Sequence, residues 1–304
     1  MPCRKDDGKI KNIPVPLEFY VIICYHGLAK NKESKVMTMK TGMCIFGGIP
    51  HEKLAVLLRE NEIYSTFIGS ETENFDEVMK IYTDNGITVE TLHAPFNKIN
   101  DMWGDDDEAG EAILARLFNS VDKCAKYSIP VTIIHVSSGR PMPEISGKGI
   151  ARYENLFRYA EEKGVKVALE NLRYLENLKY FMDRYDTPVF CWDTGHESCY
   201  TDGIHHMEYF GERLGALHIH DNRGEKDCDD HLLPYDSNID FESVARYIAK
   251  SPFDGTIMLE VCRKAAPDGK EFYADLSDEQ YVKRAADAVR RLAVRVEEIR
   301  EKWI

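Results

Sequence analysis

The sequence has no CxxC pair, no G-x-G-x-x-G turn after its first convincing strand, no apolar run long enough to cross a bilayer and no excess of basic residues. Each absence weighs against a class of protein. The eight cysteines (Cys3, Cys24, Cys44, Cys124, Cys191, Cys199, Cys228 and Cys262) are scattered, which argues against a zinc ribbon or a thioredoxin-type motif. They read as reduced thiols, and a cytoplasmic location is expected. The missing glycine fingerprint disfavours a dinucleotide-binding, doubly wound sheet. Phe19 to Cys24, the most apolar early run, is far too short for a membrane span and lacks a signal-peptide context. With 39 Lys+Arg against 52 Asp+Glu the formal net charge is −13, so no overall basic footprint is available for phosphates and nucleic acid is a disfavoured partner.

Residues 1–38 show little periodicity and read as an N-terminal extension. Lys32-Glu33 can be encoded as AAGGAG, a ribosome-binding sequence at a suitable distance from Met37. On that reading translation starts at Met37 or Met39 and the earlier residues are a misassigned leader; the alternative is a genuine peripheral extension.

From Lys40 onward, short β-branched or aromatic runs alternate with longer stretches of helical period, the pattern of repeated βα units. Strands are expected at 41–46, 64–68, 88–93, 130–135, 165–170, 188–193, 214–219 and 255–260, eight in all. Between them, "EAILARLFNSVDKCAKY" sets Ile113, Leu114, Leu117, Phe118, Val121 and Cys124 on one stripe, and "VKRAADAVRRLAVRVEEIREKW" forms the eighth helix. Asp84-Asn85-Gly86, Glu162-Lys163-Gly164 and Asp254-Gly255 supply turn signals before strands. The expected fold is α/β, a single (β/α)₈ TIM barrel over 39–304, with an open doubly wound sheet as the runner-up.

In a parallel barrel, chemistry gathers at the C-terminal strand ends. There the sequence places His93, His135, Glu170, Asp193 with His196, His218, the loop residues Asp229 and His231, and Glu260. A lone histidine at a strand end is more often structural than a ligand. Six successive strands delivering imidazole or carboxylate to one rim are harder to explain separately. Glu170 and Glu260 each follow an apolar strand, and a buried carboxylate needs a cation or a donor; a divalent ion held by oxygen and imidazole nitrogen would supply it. His51, His205 and His206 read as surface or capping residues. His220 is expected to face away from the barrel interior in a supporting role. The stretch "LHIHDNRGEKDCDDHLLPYD", 217–236, then reads as the end of strand seven plus a ligand-bearing loop, although a solvated acidic loop accounts for Glu225, Lys226 and Asp227.

The pieces "TLHAPF", "IIHVSSG", "VALENL", "CWDTGHES", "LHIHDN" with "DDHLLP", and "IMLEV" resemble, in order, the xylose-isomerase-like TIM barrels, which include sugar isomerases and epimerases and endonuclease IV. The resemblance covers about 39–300. It implies a single divalent metal (manganese, cobalt, magnesium or zinc) on Glu170, Asp193, His218 and Glu260, with the two glutamates also moving a substrate proton through an enediolate. It further implies substrate contacts from His196, His93 and Arg223, the last one residue out of register with the arginine of ketose 3-epimerases. Phe96 and Trp192, with Phe46 and Trp103, are candidates for an apolar wall behind a sugar ring. The expected partner is a small sugar, sugar phosphate or cyclitol, and a homodimer through the outer helices is in keeping with such barrels. Endonuclease IV offers the competing reading: its nine ligands for two or three zinc ions match His93, His135, Glu170, Asp193, His196, His218, Asp229, His231 and Glu260. "HAPF" and the scarcity of rim cations beyond Arg140, Arg173 and Arg223 favour the sugar branch.

Overall fold

The computed structural model describes residues 39–45, 48–263, 266 and 268–302. Its strands are β1 (Thr41–Met43), β2 (Ser65–Gly69), β3 (Thr88–His93), β4 (Val131–His135), β5 (Lys166–Glu170), β6 (Val189–Asp193), β7 (Leu214–His218) and β8 (Ile257–Leu259). All pair in parallel in the order β7-β6-β5-β4-β3-β2-β1-β8. The last seam is closed by a parallel bridge between Ile219 and Leu259, with Ile219 N donating to Met258 O at 2.9 Å and Glu260 N to Ile219 O at 3.1 Å. This is the (β/α)₈ barrel, and the open sheet is excluded. The strand expected at 88–93 is matched end to end, and the others are trimmed or shifted by one to three residues. The N-terminal extension and Phe46 lie outside the described residues.

The helices are α1 (His51–Glu60), α2 (Phe75–Asp84), α3 (Asp107–Tyr127), α4 (Gly147–Glu162), α5 (Leu175–Met182), α6 (Thr194–Tyr200), α7 (His206–Phe210), α8 (Phe241–Lys250) and α9 (Asp278–Glu301). The helix expected to be the eighth is the ninth among the described residues, because the β6–β7 connection is broken into two short helices. The α3 stripe buries Ile113, Leu114, Leu117, Val121 and Cys124 as its 3.6-residue period demands, while Phe118 is partly buried and packs on Tyr159. Gly86 and Gly164 close α2 and α4 with φ of 72° and 71°, the left-handed conformation that favours glycine.

α9 packs along β1 and β8 and starts with a complete capping box: Gln280 N donates to Ser277 Oγ at 3.2 Å, and Ser277 N to Gln280 Oε1 at 2.8 Å. Ser277→Ala therefore leaves a helix-end donor without its protein acceptor. It is expected to cost about 1 kcal/mol, read as a lower denaturant midpoint at unchanged slope.

Candidate metal centre

Successive strand residues point to opposite faces. On β4 to β7, Ile133, Ala168, Cys191 and Ala216 pack together as a small apolar layer inside the barrel. Two residues further along each strand, the same inward direction delivers His135, Glu170, Asp193 and His218, all buried. Glu260, the residue after β8, joins them, anchored through its backbone to Ile219. Ligand-capable atoms of Glu170, Asp193, His218 and Glu260 all lie within 4.8 Å of one another.

Glu170 is the hub. Its Oε1 is 2.9 Å from His218 Nδ1 and 3.4 Å from His196 Nδ1, and its Oε2 is 3.1 Å from His135 Nε2 and 3.2 Å from His93 Nε2. Glu260 Oε2 approaches the same His218 Nδ1 at 3.1 Å. A second assembly adjoins the first: Asp229 Oδ2 lies 3.1 Å from His231 Nε2 and 3.2 Å from His196 Nε2. The structure therefore brings all nine strand-end and loop candidates into one continuous cluster.

Charge is shared unevenly within it. Burial alone would raise the Glu170 carboxyl, but His218 and His135 beside it win and hold it well below the usual range. Asp229 is lowered in the same way against its burial by His231 and His196, and Glu260 against its burial mainly by His218. Conversely, burial would lower His196, yet Asp193 and Asp229 outweigh it and hold the imidazole up at about 10. His218 and His231 are raised well above their ordinary value, against their own burial, by Glu260 and Asp229 respectively. Burial dominates at His135, which is lowered.

One supporting residue escapes a reading based on strand ends, and a second departs from that reading only in its direction. Asn171 is fully buried, its Oδ1 accepting from Asp193 N at 2.8 Å, its Nδ2 donating to Asp193 O at 2.9 Å and its carbonyl meeting His196 Nδ1 at 3.1 Å. His220 corrects an expectation. Two residues beyond His218, it shares that residue's side of the chain instead of facing away, and its Nε2 sits 3.1 and 3.2 Å from the two oxygens of Asp193. Its ring also stacks on His231 at 4.3 Å. Asp193 caps α6, accepting from His196 N at 2.6 Å, so one carboxylate orients both the next histidine and His220.

The family model described as "Xylose isomerase-like TIM barrel" matches residues 51–293. The chain belongs to that family. Among curated proteins it is similar to uncharacterized protein y4fM of Sinorhizobium fredii (strain NBRC 101917 / NGR234), 29% identical over 200 residues, 60% of each chain. It thus spans about 60% of the length of that curated relative. Of solved structures, it is similar to D-psicose 3-epimerase with D-tagatose from Clostridium cellulolyticum H10 at 14% identity and TM-score 0.69, covering 85% of this chain and 99% of that one. It is likewise similar to IOLI protein with a binding zinc atom at 15% identity and TM-score 0.62, covering 87% and 99%.

Within this xylose isomerase-like barrel the remaining candidates fall in different places. Phe96 is 48% exposed and stacks on His135 at 4.7 Å, at the edge of a cavity of about 420 Å³ that reaches from Gly69–Thr72 past His93 to Glu260. Trp192 lies between two inward residues of β6 and so points outward, its Nε1 donating to Glu197 Oε2 at 3.0 Å. Trp103 is core, bonded to Val136 O at 2.6 Å and packed on Tyr153 and Phe181. Arg223 is committed to Asp230, by Nε at 2.9 Å and Nη2 at 2.7 Å, and to Asp268 at 2.9 Å. His205 is exposed as expected, but His206 is fully buried, with Nδ1 3.0 Å from Glu197 Oε2.

The donor set fits a divalent cation. Glu170, Asp193 and Glu260 are buried together, and the basic side chains paired with them among the described residues are imidazoles, with no lysine or arginine. Asp229 Oδ1 is buried without a hydrogen-bond partner among them. Carboxylate and imidazole in this mixture suit zinc, manganese or cobalt, and carboxylate alone suits magnesium.

Proposed function

We propose that the protein is a divalent-metal-dependent isomerase or epimerase of a sugar, sugar phosphate or cyclitol. The observation that carries this reading is the pairing of Glu170 and Glu260 around His218 Nδ1, at 2.9 and 3.1 Å, beside a cavity open at the barrel mouth. The similar fold of D-psicose 3-epimerase supports it, as does that of a protein with a binding zinc atom.

A bound divalent ion would supply positive charge opposite a substrate carbonyl and its neighbouring hydroxyl, making the adjacent C–H more acidic. The protein's own residues do the rest. One glutamate accepts the proton from the carbon next to the carbonyl, and the electron pair of that C–H bond moves toward the carbonyl oxygen. Delivery of a proton on the opposite face by the other glutamate, which enters the step as the neutral acid and leaves it ionised, inverts the centre; return of the first glutamate's proton to the neighbouring carbon, with the hydroxyl proton passing to the former carbonyl oxygen, isomerises the sugar. Asp193 and His218 complete the ligand set, Asn171 and His220 hold Asp193, and Phe96 offers an apolar face at the mouth. The test is solvent hydrogen exchange at a substrate carbon, run over a panel of ketoses, cyclitols and their phosphates. Sugar binding without exchange would mark a binding protein instead.

A second reading, hydrolysis of a phosphodiester at a multinuclear site, is favoured by one observation: His93 and His135 converge on Glu170 Oε2 while His196 and His231 converge on Asp229 Oδ2. Elemental analysis separates the readings. About one ion per chain supports the isomerase; two or three zinc ions direct the next assay to zinc-dependent cleavage of an abasic-site duplex.

Proton release is a further expected result. His196, raised to about 10, and His218 and His231, also raised, carry protons at pH 7 when no metal is bound. An imidazole ligates only as the neutral ring, so loading expels protons and apparent metal affinity rises with pH. Calorimetric titration at pH 7 in two buffers of different ionisation enthalpy measures the release; identical heats in both would refute it.

A further inference from the structure

Three arginines, Arg140, Arg173 and Arg223, lie in the loops that follow β4, β5 and β7. Arg223 is saturated by its own carboxylates, in a bidentate pair with Asp230 at 2.7 and 2.9 Å. The other two are not. Arg140, from the loop after β4, and Arg173, from the loop after β5, converge on one oxygen: Arg140 Nη2 and Arg173 Nε each lie 3.2 Å from Asp227 Oδ1. Among the described residues no second carboxylate pairs with either guanidinium.

Two positive charges therefore meet one negative charge, through single contacts longer than the 2.7–2.9 Å usual for charge-assisted bonds. Beyond Asp227, the partners of the two guanidiniums are neutral: Tyr174 for Arg140 and Tyr200 for Arg173. Asp227 is a poorly fitted occupant in another respect as well. Its side chain is 41% exposed, so it can leave toward solvent. Arg173, in contrast, is held in place, its guanidinium 3.6 Å above the Tyr200 ring. That ring stacks on His196 of the metal centre at 5.1 Å. A single tyrosine thus separates the guanidinium pair from the cluster around Glu170.

The geometry points to an anion subsite formed by Arg140 and Arg173, filled in this structure by Asp227, that takes the phosphate or carboxylate of an anionic sugar whose other end lies at the metal centre. The assignment of a sugar rests on the isomerase reading; the subsite itself rests on the guanidinium pair. A phosphate monoester offers three oxygens and close to two negative charges, matching both forks and both charges where Asp227 matches neither.

The experiment compares kcat/KM for one ketose in three forms: neutral, bearing a terminal phosphate and bearing a terminal carboxylate. One anionic form is expected to be preferred over the neutral sugar by about tenfold or more, the scale of a hydrogen-bonded charge, and the favoured form tells phosphate from carboxylate. In Arg140→Gln and Arg173→Gln the anionic-to-neutral ratio collapses toward one, through KM. A wild-type ratio near one, or a ratio unchanged in both variants, overturns the subsite and leaves the isomerase standing. If no sugar is turned over, the isomerase reading fails and the subsite is judged by calorimetric binding of inorganic phosphate to the metal-loaded protein. Binding about tenfold weaker in the two arginine variants, and tighter in Asp227→Asn, upholds it. Equal binding in wild type and arginine variants, or weaker binding in Asp227→Asn, overturns it.

Discussion

Glu170→Gln is expected to reduce turnover roughly a thousandfold or more, at the upper end of what a positioned acid–base group contributes, and to lower the metal content of the purified protein. The reason is its place as hub, with imidazole nitrogens of His218, His135, His93 and His196 at 2.9, 3.1, 3.2 and 3.4 Å. Glutamine keeps the shape and removes the charge all four rings face. It also substitutes an NH₂ donor for one acceptor oxygen. The barrel itself should persist, because the exchange is nearly isosteric and lies at the end of β5, above the apolar layer; near-UV circular dichroism checks that. Glu260→Gln should lose turnover similarly. Unchanged turnover in either variant would overturn the assignment of the two glutamates.

The second large effect is expected at a residue that touches no substrate. A Cβ built on Gly195 would lie 1.8 Å from His220 Cε1 and 2.4 Å from its Nδ1. In Gly195→Ala the imidazole must move, and with it the 3.1 Å contact from His220 Nε2 to Asp193. Overpacking of this kind costs about 1–3 kcal/mol, visible as a lower denaturant midpoint. Loss of a partner that orients a ligand carboxylate typically lowers metal affinity about 10–100-fold, measurable by competition with a chromophoric chelator. Stability and affinity should therefore fall together. If the variant is destabilised but binds metal as tightly as wild type, His220 fills space without supporting Asp193.

Much of the fold was legible because eight strands carry their burial in the sequence. "VTIIH" and "KVALE" read as strands covered on both faces, and the structure buries all of β4 and all of β5 except Lys166. The strand-end rule then located Glu170, Asp193 and His218 without any knowledge of contacts. Where the reading failed, the same alternation, applied more strictly, would have succeeded. His220 is an even step from His218 and so shares its side, whereas Trp192 is an odd step from Asp193 and so turns away from the site. Asn171 and His206 were beyond reach for another reason. Their burial depends on partners such as Asp193 and Glu197, contacts made by the folded chain and not by any local pattern. The division of the β6–β7 connection into two helices was hidden as well, since segments of seven and five residues are too short to show a period.

The seam between β7 and β8 also bears on how the molecule comes into being. His218 precedes the Ile219–Leu259 bridge and Glu260 follows it, so pairing of these two strands sets the two side chains beside each other. β8 must also meet β1, with Thr41 paired to Ile257, distant in sequence. Contacts of such sequence separation carry a large loop-closure cost, which slows folding. During synthesis, an emerging chain would carry many of its imidazoles well before Glu260 could stand among them. On the proposed ligand set, capture of an ion would therefore report that β8 has locked into the barrel.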